Sequence, residues 1–125
     1  MAVSMSMPIL IVDDYNTMIR ILRNLLRQLG FLNIDEASDA STALAKLRSK
    51  DYALVISDWN MAPMSGAEFL ECARADERTK QTPFVLVAND IGEAIPTMDA
   101  AAATIFKPFN AEALKSKLVS VLGAF

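Results

Sequence analysis

The chain has 125 residues, of which 53% are hydrophobic, and its formal net charge is −3. This length is typical of one domain with a single core. The acidic balance is unlike the basic footprint of a nucleic-acid-binding protein, and no apolar stretch approaches the ~20 residues that span a bilayer. We therefore expect a globular domain that binds neither nucleic acid nor membrane.

The cysteine and histidine content bounds the chemistry further. The chain has one cysteine, Cys72, and no histidine. A single cysteine forms no intramolecular disulfide, and residues 1–7 lack the basic segment with which a signal peptide begins. We therefore predict a cytoplasmic protein in which residues 1–7 form a flexible tail. Any phosphohistidine chemistry must come from another molecule.

Short apolar runs alternate with segments of helical period along the chain. Strands are predicted near 8–12, 34–37, 54–58, 84–88 and 104–106. Helices are predicted over 15–29, 41–50, 67–75, 96–102 and 111–122. Runs this apolar are typical of a parallel sheet that is covered on both faces. The pattern therefore predicts an α/β fold, doubly wound, with right-handed crossovers between its strands.

Several residues mark the ends of the predicted helices. Gly30 follows the first helix as a C-terminal cap, and Asn110 precedes the last helix as an N-cap. The fourth helix is the weakest, because Gly92 and Pro96 both disfavour helical conformation near its start. We predict a short or mobile element there.

Charged side chains follow three of the predicted strands. Asp13 and Asp14 follow the first strand, Asp58 ends the third, and Lys107 follows the fifth. In a parallel sheet the carboxyl ends of the strands lie at one edge, where ligands bind. We therefore expect three carboxylates and one lysine to meet there.

Carboxylates that lie this close together repel each other unless protonation or a cation reduces their charge. Two unit charges ~4 Å apart repel by roughly 1 to 4 kcal/mol, so either their pKa values rise or a cation binds. A hard ion such as Mg²⁺ suits carboxylate and carbonyl ligands, and a carboxylate can itself take a phosphoryl group whose oxygens Lys107 would contact.

The spatial argument does not decide which carboxylate is the nucleophile. Asp13 and Asp14 are adjacent and form a natural pair for holding an ion, whereas Asp58 stands alone and is the better acceptor. In the alternative interpretation these aspartates only end strands and cap the following helices.

These residues resemble those of the receiver (response-regulator) domain family, and within it the stand-alone chemotaxis receivers. The resemblance extends from about Pro8 to the C-terminus. It depends on the motifs VDDYNTM at 12–18, VISDWNM at 55–61 and KPF at 107–109. It implies a flavodoxin-like (βα)5 sandwich whose parallel five-stranded sheet has the order 2-1-3-4-5.

The resemblance also implies a role for each site residue. Asp58 would accept a phosphoryl group from the phosphohistidine of a sensor histidine kinase, and Lys107 would pair with that group. Mg²⁺ would be held by Asp13, Asp14, Asp58 and the backbone carbonyl of Asn60.

The resemblance further implies how the domain works as a whole. Residues 8–125 would form a single receiver domain without an output domain, acting as a monomeric switch through protein binding rather than as a turnover enzyme. Its partners besides the kinase would be a flagellar motor switch protein or a phosphatase. The Lys107–Pro108 peptide bond is expected to be cis.

The sequence departs from the family pattern near the output surface. Ala88 stands where the family has a serine or threonine that bonds the phosphoryl group, and Thr104 stands where it has an aromatic switch residue. Asn89 and Thr82 are the candidates to replace the missing hydroxyl, and Asn89 is nearer in sequence. These departures call into question the link between phosphate and conformational change.

Two alternative functions follow from these departures. The domain could drain phosphoryl groups from a shared kinase, or it could be a pseudo-receiver that binds partners without phosphate control. A hydrolase of small substrates is disfavoured, because the chain has no room for a substrate cap.

Overall fold

The computed structural model describes residues 3–89 and 102–123. Within these residues the strands are β1 (Ile9–Val12), β2 (Ile34–Ala37), β3 (Leu54–Asp58), β4 (Phe84–Ala88) and β5 (Ala102–Phe106). The helices in the same ranges are α1 (Asn16–Gln28), α2 (Ala40–Ser49), α3 (Gly66–Ala75) and α4 (Ala111–Leu122).

The strands form one parallel sheet in the order β2-β1-β3-β4-β5. This confirms the predicted fold class and strand order. The helix predicted over 96–102 falls outside the described residues except at Ala102, which begins β5. None of the described helices is long and apolar enough to cross a bilayer.

Two apolar clusters cover the faces of the sheet, because successive side chains of a strand point to opposite sides. Ile9 and Ile11 of β1 lie in a cluster with α1 and α4, and Leu10 and Val12 lie in a cluster with α2 and α3. All four side chains are fully buried. Since the sheet is buried on both sides, its carboxyl edge is held rigidly.

The predicted helix ends are found in the structure. Gly30 follows α1 with φ +105°, a conformation that favours glycine. The Asn110 side chain accepts a hydrogen bond of 2.8 Å from the backbone N–H of Ala113. Ser65 and Glu68 form a capping box at the start of α3.

The N-terminal segment, for which the sequence predicts a flexible tail, contacts the rest of the domain. Val3, Met5 and Met7 pack against the apolar cluster beneath α1 and α4. The backbone N–H of Leu32 also donates to the Met5 carbonyl at 3.1 Å. Burial of these apolar side chains favours the contact and opposes the conformational entropy that it costs.

Candidate functional site

Three carboxylates meet at the carboxyl edge of the sheet. Asp13 and Asp14 come directly after β1, and Asp58 is the last residue of the adjacent strand β3. One carboxylate oxygen from each lies within 4.8 Å of the other two. The structure thus brings together all three acids that the sequence places at strand ends.

The site is buried on one side and open on the other. Asp13 is fully buried and Asp58 is 5% exposed, whereas Asp14 is exposed. Within residues 3–89 and 102–123, the buried atoms Asp13 Oδ2 and Asp58 Oδ1 have no hydrogen-bond partner. Buried acceptors without a partner are costly, so this cluster is suited to a cation that satisfies them.

The burial of these acids changes their protonation. Burial raises the pKa of Asp13 to about 6, although a hydrogen bond from the Tyr15 backbone N–H opposes the rise and the Asp58 charge adds to it. Burial also raises the pKa of Asp58, an effect that the nearby Lys107 charge opposes. Burial therefore destabilises the ionised form of both side chains relative to the protonated form, and a nearby cation would oppose this effect.

Lys107 supplies one such charge from the far side of the cluster. Its Nζ lies 3.6 Å from Asp58 Oδ1, which is an ion-pair distance rather than a hydrogen bond. The Lys107 backbone N–H donates to the Ala88 carbonyl at 2.9 Å, which anchors the lysine beside the end of β4. The Lys107–Pro108 peptide bond is cis, as the sequence predicts.

The loop after β3 holds Asn60 next to the Asp58 carboxylate. The backbone N–H of Asn60 hydrogen-bonds to Asp58 and lowers its pKa, while the Trp59 N–H donates to the Val87 carbonyl at 2.9 Å. The Gly66 N–H donates to the Trp59 carbonyl at 3.0 Å, which closes the loop. The structure therefore places the Asn60 backbone at the site.

Ala88 also lies at this edge, but it contributes no polar side chain. It is fully buried and pairs with Phe106 across β4 and β5. Thr82 precedes β4 and therefore lies at the opposite edge of the sheet, too far away to replace a hydroxyl here. Asn89 directly follows Ala88 and is exposed.

Gly66 is a site residue that the sequence analysis missed. A Cβ atom at this position would lie 2.3 Å from the Asp58 carbonyl oxygen and 2.8 Å from the Trp59 Cα. Only glycine lets the first turn of α3 approach the backbone at the end of β3 this closely. The available signal was its position directly after Ser65 in the capping box, at the start of a helix.

We expect Gly66→Ala to destabilise the fold by about 1 to 3 kcal/mol, the usual cost of forcing extra atoms into a packed region. The displaced loop should also weaken Mg²⁺ binding, because Asn60 belongs to it. Urea unfolding and a Mg²⁺ titration measure the two effects. Gly123→Ala is the control: its Cβ meets nothing within 4 Å and φ there is +99°, so it adds backbone strain without a clash. Equal losses in the two variants would contradict the packing argument.

The comparisons with known proteins agree with this geometry. Residues 9–119 match the family model described as the response regulator receiver domain. The chain belongs to the response-regulator receiver family. The resemblance found in the sequence is thereby confirmed, and this receiver domain is a module of two-component signalling.

Its relatives include chemotaxis proteins. The receiver domain is 44% identical to the chemotaxis protein CheY of Pseudomonas aeruginosa over 119 residues, covering 92% of this chain and 95% of that protein. It is 45% identical to CheY-3 of Vibrio cholerae over 117 residues, with 90% and 89% covered. The solved structure of CheY4 of Vibrio cholerae aligns with this chain at a TM-score of 0.82 and 30% identity. The alignment covers 94% of this chain and 99% of the CheY4 chain.

Proposed function

We propose that this domain is a response regulator of a chemotaxis-type two-component system. A sensor histidine kinase phosphorylates it on Asp58 in a Mg²⁺-dependent reaction. The observation that carries the proposal is the cluster of Asp13, Asp14 and Asp58 with Lys107 Nζ 3.6 Å from the Asp58 carboxylate. The identity to chemotaxis proteins of the CheY type supports the pathway.

The residues at the site fit a magnesium ion. The three carboxylates supply hard oxygen ligands, and two of their buried oxygens have no hydrogen-bond partner in the described part of the chain. Asp13, Asp14, Asp58 and the Asn60 carbonyl would hold the ion. When bound, Mg²⁺ neutralises phosphoryl oxygens as a Lewis acid.

The phosphoryl transfer follows from the position of Asp58. One carboxylate oxygen of Asp58 attacks the phosphorus of the phosphohistidine, the new O–P bond forms, and the N–P bond breaks with its electron pair left on the imidazole nitrogen. Lys107 contacts the transferred group and offsets its charge. Because these groups belong to the receiver domain, it promotes its own phosphorylation and later hydrolysis without acting as a turnover enzyme.

Ala88 favours a second function. A buried methyl group at the end of β4 offers the phosphoryl group no hydrogen bond, and Thr104 in β5 provides no aromatic switch side chain. These features favour a domain that drains phosphoryl groups from a shared kinase, or one whose phosphate-dependent switching is weakened. A motor switch protein or a phosphatase is the partner expected if switching is retained.

Incubation with Mg²⁺ and acetyl phosphate tests the proposed function directly. We expect one phosphoryl group per chain by intact mass, and no labelling when a chelator replaces Mg²⁺. Trp59 follows Asp58 and is half-buried, so its emission should change as Mg²⁺ is added. A chain that remains unlabelled by acetyl phosphate would count against the proposal.

A further inference from the structure

A second concave surface lies beside the acidic cluster. It is a cavity of about 480 Å³ lined by residues 38–41, at the start of α2, and by residues 62–64, in the loop after β3. β1 lies between β2 and β3 in the sheet, so the loops that follow these two strands flank Asp13 and Asp14. The cavity therefore opens on the same edge as the site, on its β2 side.

The loop after β3 contributes to both the acidic cluster and the cavity. Asn60 hydrogen-bonds to the Asp58 carboxylate through its backbone, and Ala62, Pro63 and Met64 of the same loop line the cavity. Both ends of the loop are fixed by hydrogen bonds, from Trp59 N–H to the Val87 carbonyl at 2.9 Å and from Gly66 N–H to the Trp59 carbonyl at 3.0 Å. The cavity is thus held at a constant position relative to Asp58.

The lining suits an apolar side chain with a basic neighbour. Ala62 and Pro63 are exposed and Met64 is half-buried, and a methionine adapts to side chains of different shape. On the other wall, hydrogen bonds from Thr42 hold the pKa of Asp39 below its ordinary value. That carboxylate therefore remains charged at the rim and is complementary to a lysine or arginine.

The position of Asp58 indicates which partner uses this cavity. Asp58 is 5% exposed and ends a strand that is covered on both faces, so a phosphohistidine reaches it only across the carboxyl edge. A protein donor seated there must also contact the loops that surround the edge, and the cavity is an apolar recess among those loops.

We infer that the cavity between the β2–α2 turn and the β3–α3 loop is a docking subsite for the phosphodonor protein. It takes an apolar side chain of the donor, and a basic donor residue faces Asp39. This inference rests on the proposed function, since it concerns the donor for Asp58. A small acyl phosphate needs no such docking, and this difference separates the two claims experimentally.

Ala62→Glu tests the subsite because its longer side chain fills the recess and places a charged group where an apolar donor side chain would sit. The matched control is Ala45→Glu, at an exposed position of α2 outside the cavity lining. The protein donor is the autophosphorylated kinase that labels the wild type fastest in a panel including the Pseudomonas aeruginosa and Vibrio cholerae chemotaxis kinases. Both variants and the wild type are also labelled with acetyl phosphate and Mg²⁺.

We expect Ala62→Glu to lower kcat/KM for the protein donor at least about tenfold, mainly through KM. Its labelling by acetyl phosphate and all rates of Ala45→Glu should stay within about twofold of wild type. Ser41→Lys, which adds a positive charge that offsets Asp39, should lower the protein-donor rate in the same selective way and provides the test if Ala62→Glu folds poorly.

Three results would overturn the subsite. They are an unchanged protein-donor rate in both cavity variants, an equal loss with both donors, and loss of binding to a different protein while the donor rate is kept. A wild-type chain that acetyl phosphate does not label would instead contradict the proposed function.

Discussion

Asp58→Asn is expected to abolish phosphoryl uptake from every donor, with a fall of at least about 1,000-fold in labelling rate. The amide keeps the size and shape of the carboxylate but has no anionic oxygen to form the O–P bond. Lys107 and the other two acids stay in place, so the loss reports the Asp58 carboxylate, which is both the proposed nucleophile and a proposed Mg²⁺ ligand. Intact mass after incubation with acetyl phosphate and Mg²⁺ gives the measurement.

Asp51→Asn is the matched control for this substitution. Asp51 precedes β3 whereas Asp58 ends it, so the same chemical change is made at the opposite edge of the sheet. Its side chain is exposed and pairs with Arg78 at 3.1 Å, a surface contact of little energetic weight. We expect labelling of Asp51→Asn at the wild-type rate. Labelling that persisted in Asp58→Asn would mean that Asp13, Asp14 or another group is the acceptor.

Asp13→Asn should stabilise the metal-free protein at neutral pH by about 3 kcal/mol, which is the free energy of a pKa rise from 3.8 to about 6. At a pH between 3.8 and about 6, the Asp13 carboxyl is protonated more in the folded state than in the unfolded state. The free energy of unfolding of the wild type therefore falls, relative to the variant, as pH rises from about 4 to about 6. Near pH 3 the two proteins should differ little. Urea unfolding in the presence of a chelator measures the effect.

Magnesium should remove most of this difference in stability between the wild type and Asp13→Asn. Saturating Mg²⁺, at a hundred times its Kd, stabilises the wild type by about 2.7 kcal/mol, and Asp13→Asn should gain little because it has lost a ligand. The benefit to the wild type should shrink below pH 6, where protons compete with the metal for Asp13. Without a metal effect that Asp13→Asn removes, the assignment of this acid as a ligand would be wrong.

Asp35→Asn is a control for which we expect the opposite change in stability. Hydrogen bonds from Tyr52 and Lys50 lower the pKa of Asp35, so its stabilising contribution is present above its ordinary pKa and is lost as pH falls. Asp35→Asn should therefore destabilise the protein at neutral pH and leave its response to Mg²⁺ unchanged. A gain in stability from both Asp13→Asn and Asp35→Asn would indicate a general charge effect instead.

Prediction from the sequence succeeds where the signal is local. Ile9–Val12 and Phe84–Ala88 are short apolar runs between polar segments, and each is a strand in the structure because such runs bury both faces of a sheet. Gly30 and Asn110 mark helix ends through backbone conformation and capping. The contacts of the N-terminal segment were harder to predict, because Val3, Met5 and Met7 pack against a cluster assembled from distant parts of the chain.

Some features of the candidate site are likewise visible in the sequence, and others are not. Its chemical groups are visible in the sequence, since Asp13, Asp14, Asp58 and Lys107 each follow or end a predicted strand and the strands are parallel. The contribution of Gly66 was not visible, because nothing local to the helix shows that its Cα packs on the Asp58 carbonyl. The cavity beside the site was likewise unpredictable, since its walls come from loops that meet only when β2 and β3 flank β1.

The sequence by itself determined the succession of strands and helices, the residues available for phosphoryl chemistry, and the family to which the chain belongs. Only the tertiary structure decided which oxygens of the described residues are buried without hydrogen-bond partners, how far Lys107 lies from Asp58, and at which edge of the sheet the acids meet. The physical reason is the separation of the interacting residues along the sequence. Helical periodicity, capping and strand hydrophobicity depend on near neighbours, whereas burial and the distance between charges depend on residues far apart in the chain.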